Sequence, residues 1–257
     1  MALFDSHLHL DDDAFDPDRE EVLARARAAG VVGMVTVGSD VMSSARAHAL
    51  AERHQDVYAA VAVHPYEAAQ AGPETMEELR TMAGHPKVVA IGETGLDFMR
   101  GPDRDIQRDV FRRHLRLAAD LDLPVVVHCR EAFGDVLDIL REWNARRVVM
   151  HAFSGSVETA RRCVDAGYAI SLGGPVTYTS ARQTRDVARF VPPEALLLET
   201  DAPVLTPEPY RGRRNEPAYL ARIAERIAVL RGVDPDVIAA TTTANARRIF
   251  RLEEGRG

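Results

Sequence analysis

Ala2-Leu3-Phe4-Asp5-Ser6-His7-Leu8-His9-Leu10-Asp11-Asp12-Asp13 opens the chain, and how this stretch is read decides the fold. Residues 3–7 alternate as a strand does, and they lead into histidine and aspartate with no glycine. An open doubly wound sheet would carry a Gly-rich turn here, because glycine lets a backbone approach a pyrophosphate. Seven more strand-like runs follow, at 33–37, 57–63, 88–93, 124–128, 147–151, 168–172 and 196–199. Amphipathic helical patterns separate them at 18–29, 43–53, 75–82, 106–121, 132–143, 157–166 and 184–190, with Gly30 and Gly167 each standing just before a strand. Eight βα units without a dinucleotide turn predict an α/β protein, a parallel sheet closed into a (β/α)₈ TIM barrel. Two further helical stretches, 218–231 and 235–251, are expected to pack against the barrel's outside.

The 257 residues, 46% hydrophobic and 28% charged, suit one globular domain spanning 1–257. No run approaches a membrane span, and the N-terminus carries no basic segment followed by an apolar one, so a cytoplasmic protein is expected. Cys129 and Cys163 form no Cys-x-x-Cys pair and are expected as free thiols. The net charge of −7 argues against a protein that coats nucleic acid non-specifically, yet allows one that grips a strand end in a local pocket. Lys87 is the only lysine, at the start of the fourth strand.

A TIM barrel puts its active site at the C-terminal ends of its strands. The tips carry His7 and His9, Ser39 with Asp40, His64, Glu93, His128, His151, Gly173 and Asp201. His7 and His9, two apart on extended backbone, share a face and can grip one ion. His128 ends Val125-Val126-Val127 and His151 ends Val148-Val149-Met150. A buried histidine bonded to a backbone carbonyl is the alternative for either, but two at equivalent positions favour a site. Glu93 and Asp201 end apolar runs, where a carboxylate is costly to desolvate unless an arginine or a cation pairs with it. Together these six exceed what one tetrahedral ion can use, so two divalent ions are expected, with Glu93 bridging. His48, His54 and His114 fall on helices and His85 faces the barrel's other end, so no chemistry is assigned to them. His64 and Arg130 are expected to contact substrate. The loop Arg211-Gly212-Arg213-Arg214-Asn215-Glu216 is either surface decoration or a collector of phosphate backbone.

Asp5-Ser6-His7-Leu8-His9-Leu10, Ala62-Val63-His64-Pro65-Tyr66, Gly92-Glu93-Thr94-Gly95-Leu96-Asp97-Phe98, His128-Cys129-Arg130-Glu131-Ala132, His151-Ala152-Phe153-Ser154-Gly155-Ser156 and Glu199-Thr200-Asp201-Ala202-Pro203 form an ordered set. With Arg211 to Pro217 it resembles, nearly end to end, the TatD family of metal-dependent deoxyribonucleases among the amidohydrolase-like barrels. The resemblance implies His7, His9, Glu93, His128, His151 and Asp201 as metal ligands. Ala152 and Thr94 depart from the family's usual residues outside that set. Related barrels often bridge their metals with a carboxylated lysine, and Lys87 lies at the wrong end for this.

The expected reaction is hydrolysis of a phosphodiester by water activated between two ions of magnesium, zinc or manganese, with Asp201 and Glu93 as the catalytic carboxylates. The resemblance suggests exonucleolytic trimming of single-stranded DNA from the 3′ end. One rival reading is an amidohydrolase or lactonase acting on a carbonyl with the same ions. Another is a non-catalytic scaffold, which would leave the six strand-end residues unexplained.

Overall fold

The structure of the protein, a computed structural model, describes residues 1–252; the last five residues of the expected domain lie outside the described ones. Its strands are β1 (Leu3–Leu8), β2 (Val31–Val37), β3 (Val57–Val61), β4 (Val88–Asp97), β5 (Val125–Arg130), β6 (Val148–Met150), β7 (Ala169–Leu172) and β8 (Leu196–Leu198). The helices are α1 (Arg19–Ala28), α2 (Val41–Arg53), α3 (Pro73–Ala83), α4 (Arg104–Leu121), α5 (Phe133–Glu142), α6 (Val157–Asp165), α7 (Arg182–Phe190), α8 (Leu220–Arg231) and α9 (Pro235–Phe250). All neighbouring strands pair in parallel, in sequence order from β1 to β8. This is the expected (β/α)₈ barrel.

Strand alternation sorts the core into two layers. Val125, Val127, Val148 and Met150 pack outward against the helices, while Val126 and Val149 point inward with Val35, Val37, Ala60 and Leu197. The seam between β8 and β1 is stitched by residues just beyond β8. Asp201 N–H donates to the His7 carbonyl at 3.0 Å, and His9 N–H donates to the Ala202 carbonyl at 2.8 Å. Thr200 donates its N–H and hydroxyl to the buried Asp5 carboxylate at 2.9 and 2.5 Å.

Two elements differ from the sequence expectation. β4 does not stop at Glu93 but runs on to Asp97, shifting register between Ile91 and Thr94 before pairing Asp97 with Arg130. Glycines on both sides of Glu93 allow this. A Cβ at Gly95, whose φ is +141°, would lie 2.1 Å from the His128 carbonyl oxygen, and one at Gly92 would lie 2.6 Å from Val126 Cβ. Further on, the C-terminal helices do not both lie on the barrel's outside. α8 packs beside α7, but α9 turns under the strands' N-terminal ends. Its Ala246, Ile249 and Phe250 join the inward layer, with the Phe250 ring 6.2 Å from that of Phe4. Small inward residues such as Ala60, Ala90 and Ala169 do not fill the barrel's base, and α9 supplies the missing apolar volume.

Cys129 and Cys163 are buried and free. Among the described residues, no helix is long and apolar enough to cross a membrane.

Phe250 is 3% exposed, so truncation to alanine opens a cavity under the barrel and is expected to destabilise the fold by about 3–5 kcal/mol in urea unfolding. Met42→Ala, at a residue 71% exposed, serves as the control and should change stability by less than about 0.5 kcal/mol.

Candidate metal centre

The strand ends bring all six expected ligand-type residues to one point. His7, Glu93, His151 and Asp201 are at most 7% exposed, and His9 and His128 complete the ring around them. Glu93 divides its two oxygens. Oε2 faces His7 Nε2 at 3.4 Å and His9 Nε2 at 3.8 Å, and Asp201 Oδ1 stands 3.6 Å from both of those nitrogens. Oε1 faces His128 Nδ1 at 2.7 Å and His151 Nε2 at 3.4 Å. One carboxylate therefore spans two donor sets.

Hydrogen bonds on the far side of the His9, His128 and His151 rings fix which nitrogen each turns toward the centre, while the buried His7 Nδ1 has no partner. His9 Nδ1–H donates to the Val37 carbonyl at 2.8 Å, leaving Nε2 free toward the centre. His151 Nδ1 lies 3.1 Å from Glu199 Oε2 and His128 Nε2 lies 3.0 Å from Asp97 Oδ2, so each ring turns its other nitrogen inward. Such carboxylate–histidine pairs orient metal-bound imidazoles. His64 has the opposite arrangement. Its Nδ1 accepts the Tyr66 N–H at 3.1 Å, so its Nε2 carries the proton and points that donor at Glu93 Oε1, 3.5 Å away. His64 thus sits in the centre as a hydrogen-bond donor.

A divalent ion fits this donor set. Two ligands each about 2.0–2.1 Å from a tetrahedral ion stand about 3.4 Å apart. His7 Nε2 and His9 Nε2 are separated by 3.4 Å, the spacing of two nitrogens that share one ion. Charge argues the same way. Burial pushes Asp201 up to about 6 and Asp5 up to about 8. Burial also pushes His7 down to about 4, helped by the charge of His151, whose ring stacks on it at 3.5 Å. For His128 burial works downward, but Asp97 and Glu93 outweigh it and raise the ring to about 9. His151 is likewise lifted to about 10 against burial, by Glu199 and then Glu93. The carboxylates gather protons onto two imidazoles where cations would otherwise balance them.

The remaining expectations divide. Arg130 is exposed at the rim, beside the Tyr66 hydroxyl. Asp40 is taken up in capping α2, accepting Ser43 N–H at 2.6 Å. In the 211–216 loop, Arg214 is held by Asp18 at 2.7 Å and Arg211 lies over the Tyr178 ring, so much of that basic cluster is already engaged. His114 is structural, its Nε2 accepting the Val63 N–H. At the barrel's base His48 meets His85 and Glu52, but His85 Nδ1 accepts the Lys87 N–H, which leaves Nε2 a donor toward Glu52. Lys87 donates to three backbone carbonyls at the same end.

Sequence reasoning passed over Asp97, Glu199 and Asp5, although each stands inside a quoted motif. The cost of burying a carboxylate, already applied to Glu93 and Asp201, would have singled them out too.

At pH 7 His128 and His151 lie below their raised pKa values, so both are protonated in the metal-free protein, and an ion must displace those protons. Calorimetry in buffers of different ionisation heat should show release of about two protons, with apparent affinity falling about tenfold per pH unit for each proton. Metal content unchanged on dialysis to pH 5 would sink this ligand set. Asp97→Asn and Glu199→Gln are expected to weaken metal binding by about 10–100-fold with the fold retained, read by elemental analysis and circular dichroism.

Residues 4–251 match the family model described as TatD related DNase. The chain is 43% identical over 254 residues to the uncharacterized metal-dependent hydrolase YabD of Bacillus subtilis, covering 97% of this chain and 99% of that protein. It is 40% identical over 259 residues to the 3'-5' ssDNA/RNA exonuclease TatD of Salmonella typhimurium, covering 97% and 99%. The crystal structure of YJJV, a TatD homolog from Escherichia coli, superposes with a TM-score of 0.91 at 35% identity over 98% of each chain. A shared model, close relatives along the whole length and a common barrel agree: the chain belongs to the TatD-related DNase family, and it is a metal-dependent hydrolase acting on ester bonds.

Proposed function

We propose that this chain is a 3′–5′ exonuclease on single-stranded DNA or RNA, with two divalent ions held on either side of Glu93. His7, His9 and Asp201 would hold one, and His128 and His151 the other. The observation that carries the reading is the division of Glu93, one oxygen toward each donor set. The substrate class is supported by the exonuclease relative at 40% identity. When bound, such ions stabilise the charge that develops on the attacking and leaving oxygens of an in-line displacement at phosphorus.

The protein's own groups supply the rest. Asp201, buried and raised toward neutrality, accepts the proton of the attacking water. His64 presents its Nε2–H at the centre and donates to the phosphate or to the departing oxygen. Arg130, exposed at the rim near the Tyr66 hydroxyl, holds a non-bridging oxygen. Two buried thiols kept free fit a reducing compartment such as the cytoplasm.

The test is an end-labelled single-stranded oligonucleotide incubated with and without chelator, with added magnesium, zinc or manganese, and with Glu93→Ala protein. Stepwise shortening from the 3′ end, dependent on metal and lowered by at least about 100-fold in Glu93→Ala, is the expected result. A folded, metal-loaded protein that leaves the oligonucleotide intact but opens a lactone or amide would transfer the site to carbonyl hydrolysis.

A further inference from the structure

The mouth of the barrel is polarised around the metal centre. On the β1–β2 side Asp11, Asp12, Asp13 and Asp40 line a hollow of about 190 Å³ that also exposes His9. Arg46 shares that hollow, 3.8 Å from Asp11, and Arg19 reaches the Asp12 carbonyl at 3.1 Å from beside it. The β4–β5 side is the reverse. Tyr66 lies 4.3 Å from His64 and 6.1 Å from His128, ring to ring, so it borders the centre directly. Gly101 of the loop after β4 packs against it, since a Cβ there would lie 2.9 Å from the Pro65 carbonyl. The same loop is tied to β5 by Phe98 N–H donating to the Arg130 carbonyl at 3.0 Å. Met99, 62% exposed, and Arg100 project from it. Arg104, at the start of α4, rests its guanidinium 4.4 Å from the Phe98 ring centroid. Arg108 beside it is neutralised by Asp105 and Asp135, whereas Arg100, Arg104 and Arg130 have no carboxylate partner among the described residues.

Resting on the nuclease reading, we propose that this ledge is the path of the single strand. Its phosphates lie along Arg130, Arg100 and Arg104, and its bases lie over Tyr66 and Met99. Single-strand tracks combine cationic groups that follow the backbone with flat or polarisable side chains under the bases. The acidic side repels any phosphate beyond the scissile one, so the strand's end stops there. Exonucleolytic action then follows from charge placement.

The test measures trimming kinetics on a 12-nucleotide strand by the metal-loaded enzyme, and anisotropy of the same labelled strand with Glu93→Ala protein. In both, wild-type residues on the ledge are compared with Arg100→Ala/Arg104→Ala, Met99→Ala and, as a control on the 211–216 loop, Arg213→Ala. The double variant is expected to raise KM and Kd about tenfold or more. Its salt dependence should flatten by about 0.7 in slope for each arginine removed. Met99→Ala should weaken binding severalfold, Arg213→Ala should not change it, and thermal unfolding should stay constant because the altered side chains are exposed. Double-variant binding equal to wild type in an enzyme that trims the strand overturns the ledge alone, as does weakening by Arg213→Ala in its place. A wild type that neither binds nor shortens the strand overturns the nuclease reading, and the ledge with it.

Discussion

A buried carboxylate surrounded by imidazoles is the constraint on which the rest of this molecule turns. Glu93, 3% exposed, faces rings from β1 and β5 and from the segments just beyond β1, β3 and β6, and burial alone would drive it to take up a proton. His151 and His64, with the bond from His128, hold it ionised instead, well below the ordinary carboxylate range. A charge so placed needs cations permanently. Protonated rings meet that need in the metal-free protein, and bound metal would take their place.

Much of the barrel's irregularity serves this arrangement. β4 pushes past its expected end because Gly92 and Gly95 let it press against β5, which sets Glu93 beside His128 and carries Asp97 up behind the same ring. Asp201 stands in the left-handed region, with φ +56°, just where its N–H reaches back to His7 and closes the seam. Asn215 donates to the Thr200 and Val204 carbonyls at 2.8 and 2.7 Å, so the loop carrying Asp201 is braced from outside. A strained backbone at a site residue persists only where its surroundings over-determine it, and here they do. Polar residues occupy the barrel's interior at this end, and α9 with Phe250 supplies apolar volume to the interior at the other.

The arginine-rich composition makes charge placement, rather than net charge, the informative quantity. Arg25, Arg27, Arg112, Arg147 and Arg214 end on carboxylates, and such pairs at the surface contribute little to stability. An acidic protein can therefore still present a cationic ledge at one side of its mouth and an acidic wall at the other.

The barrel and its six ligand-type residues were legible from the sequence alone, because each signal is local. Period-two runs mark strands, a His-x-His pair on extended backbone shares one face, and polar residues that end apolar runs must face something. What lay beyond it depended on contacts between distant residues. The register shift that puts Glu93 inside β4 exists only against β5, and the placement of α9 under the barrel answers a cavity left by alanines on three different strands. The engagement of Arg214 by Asp18 joins residues 196 positions apart. Which histidine gives a lone pair and which gives a proton was settled only by tertiary structure. The choice rests on what lies behind each ring: a carbonyl for His9, a carboxylate for His128 and His151, and a backbone N–H for His64. No spacing in the sequence encodes a partner brought there by the closing of a barrel.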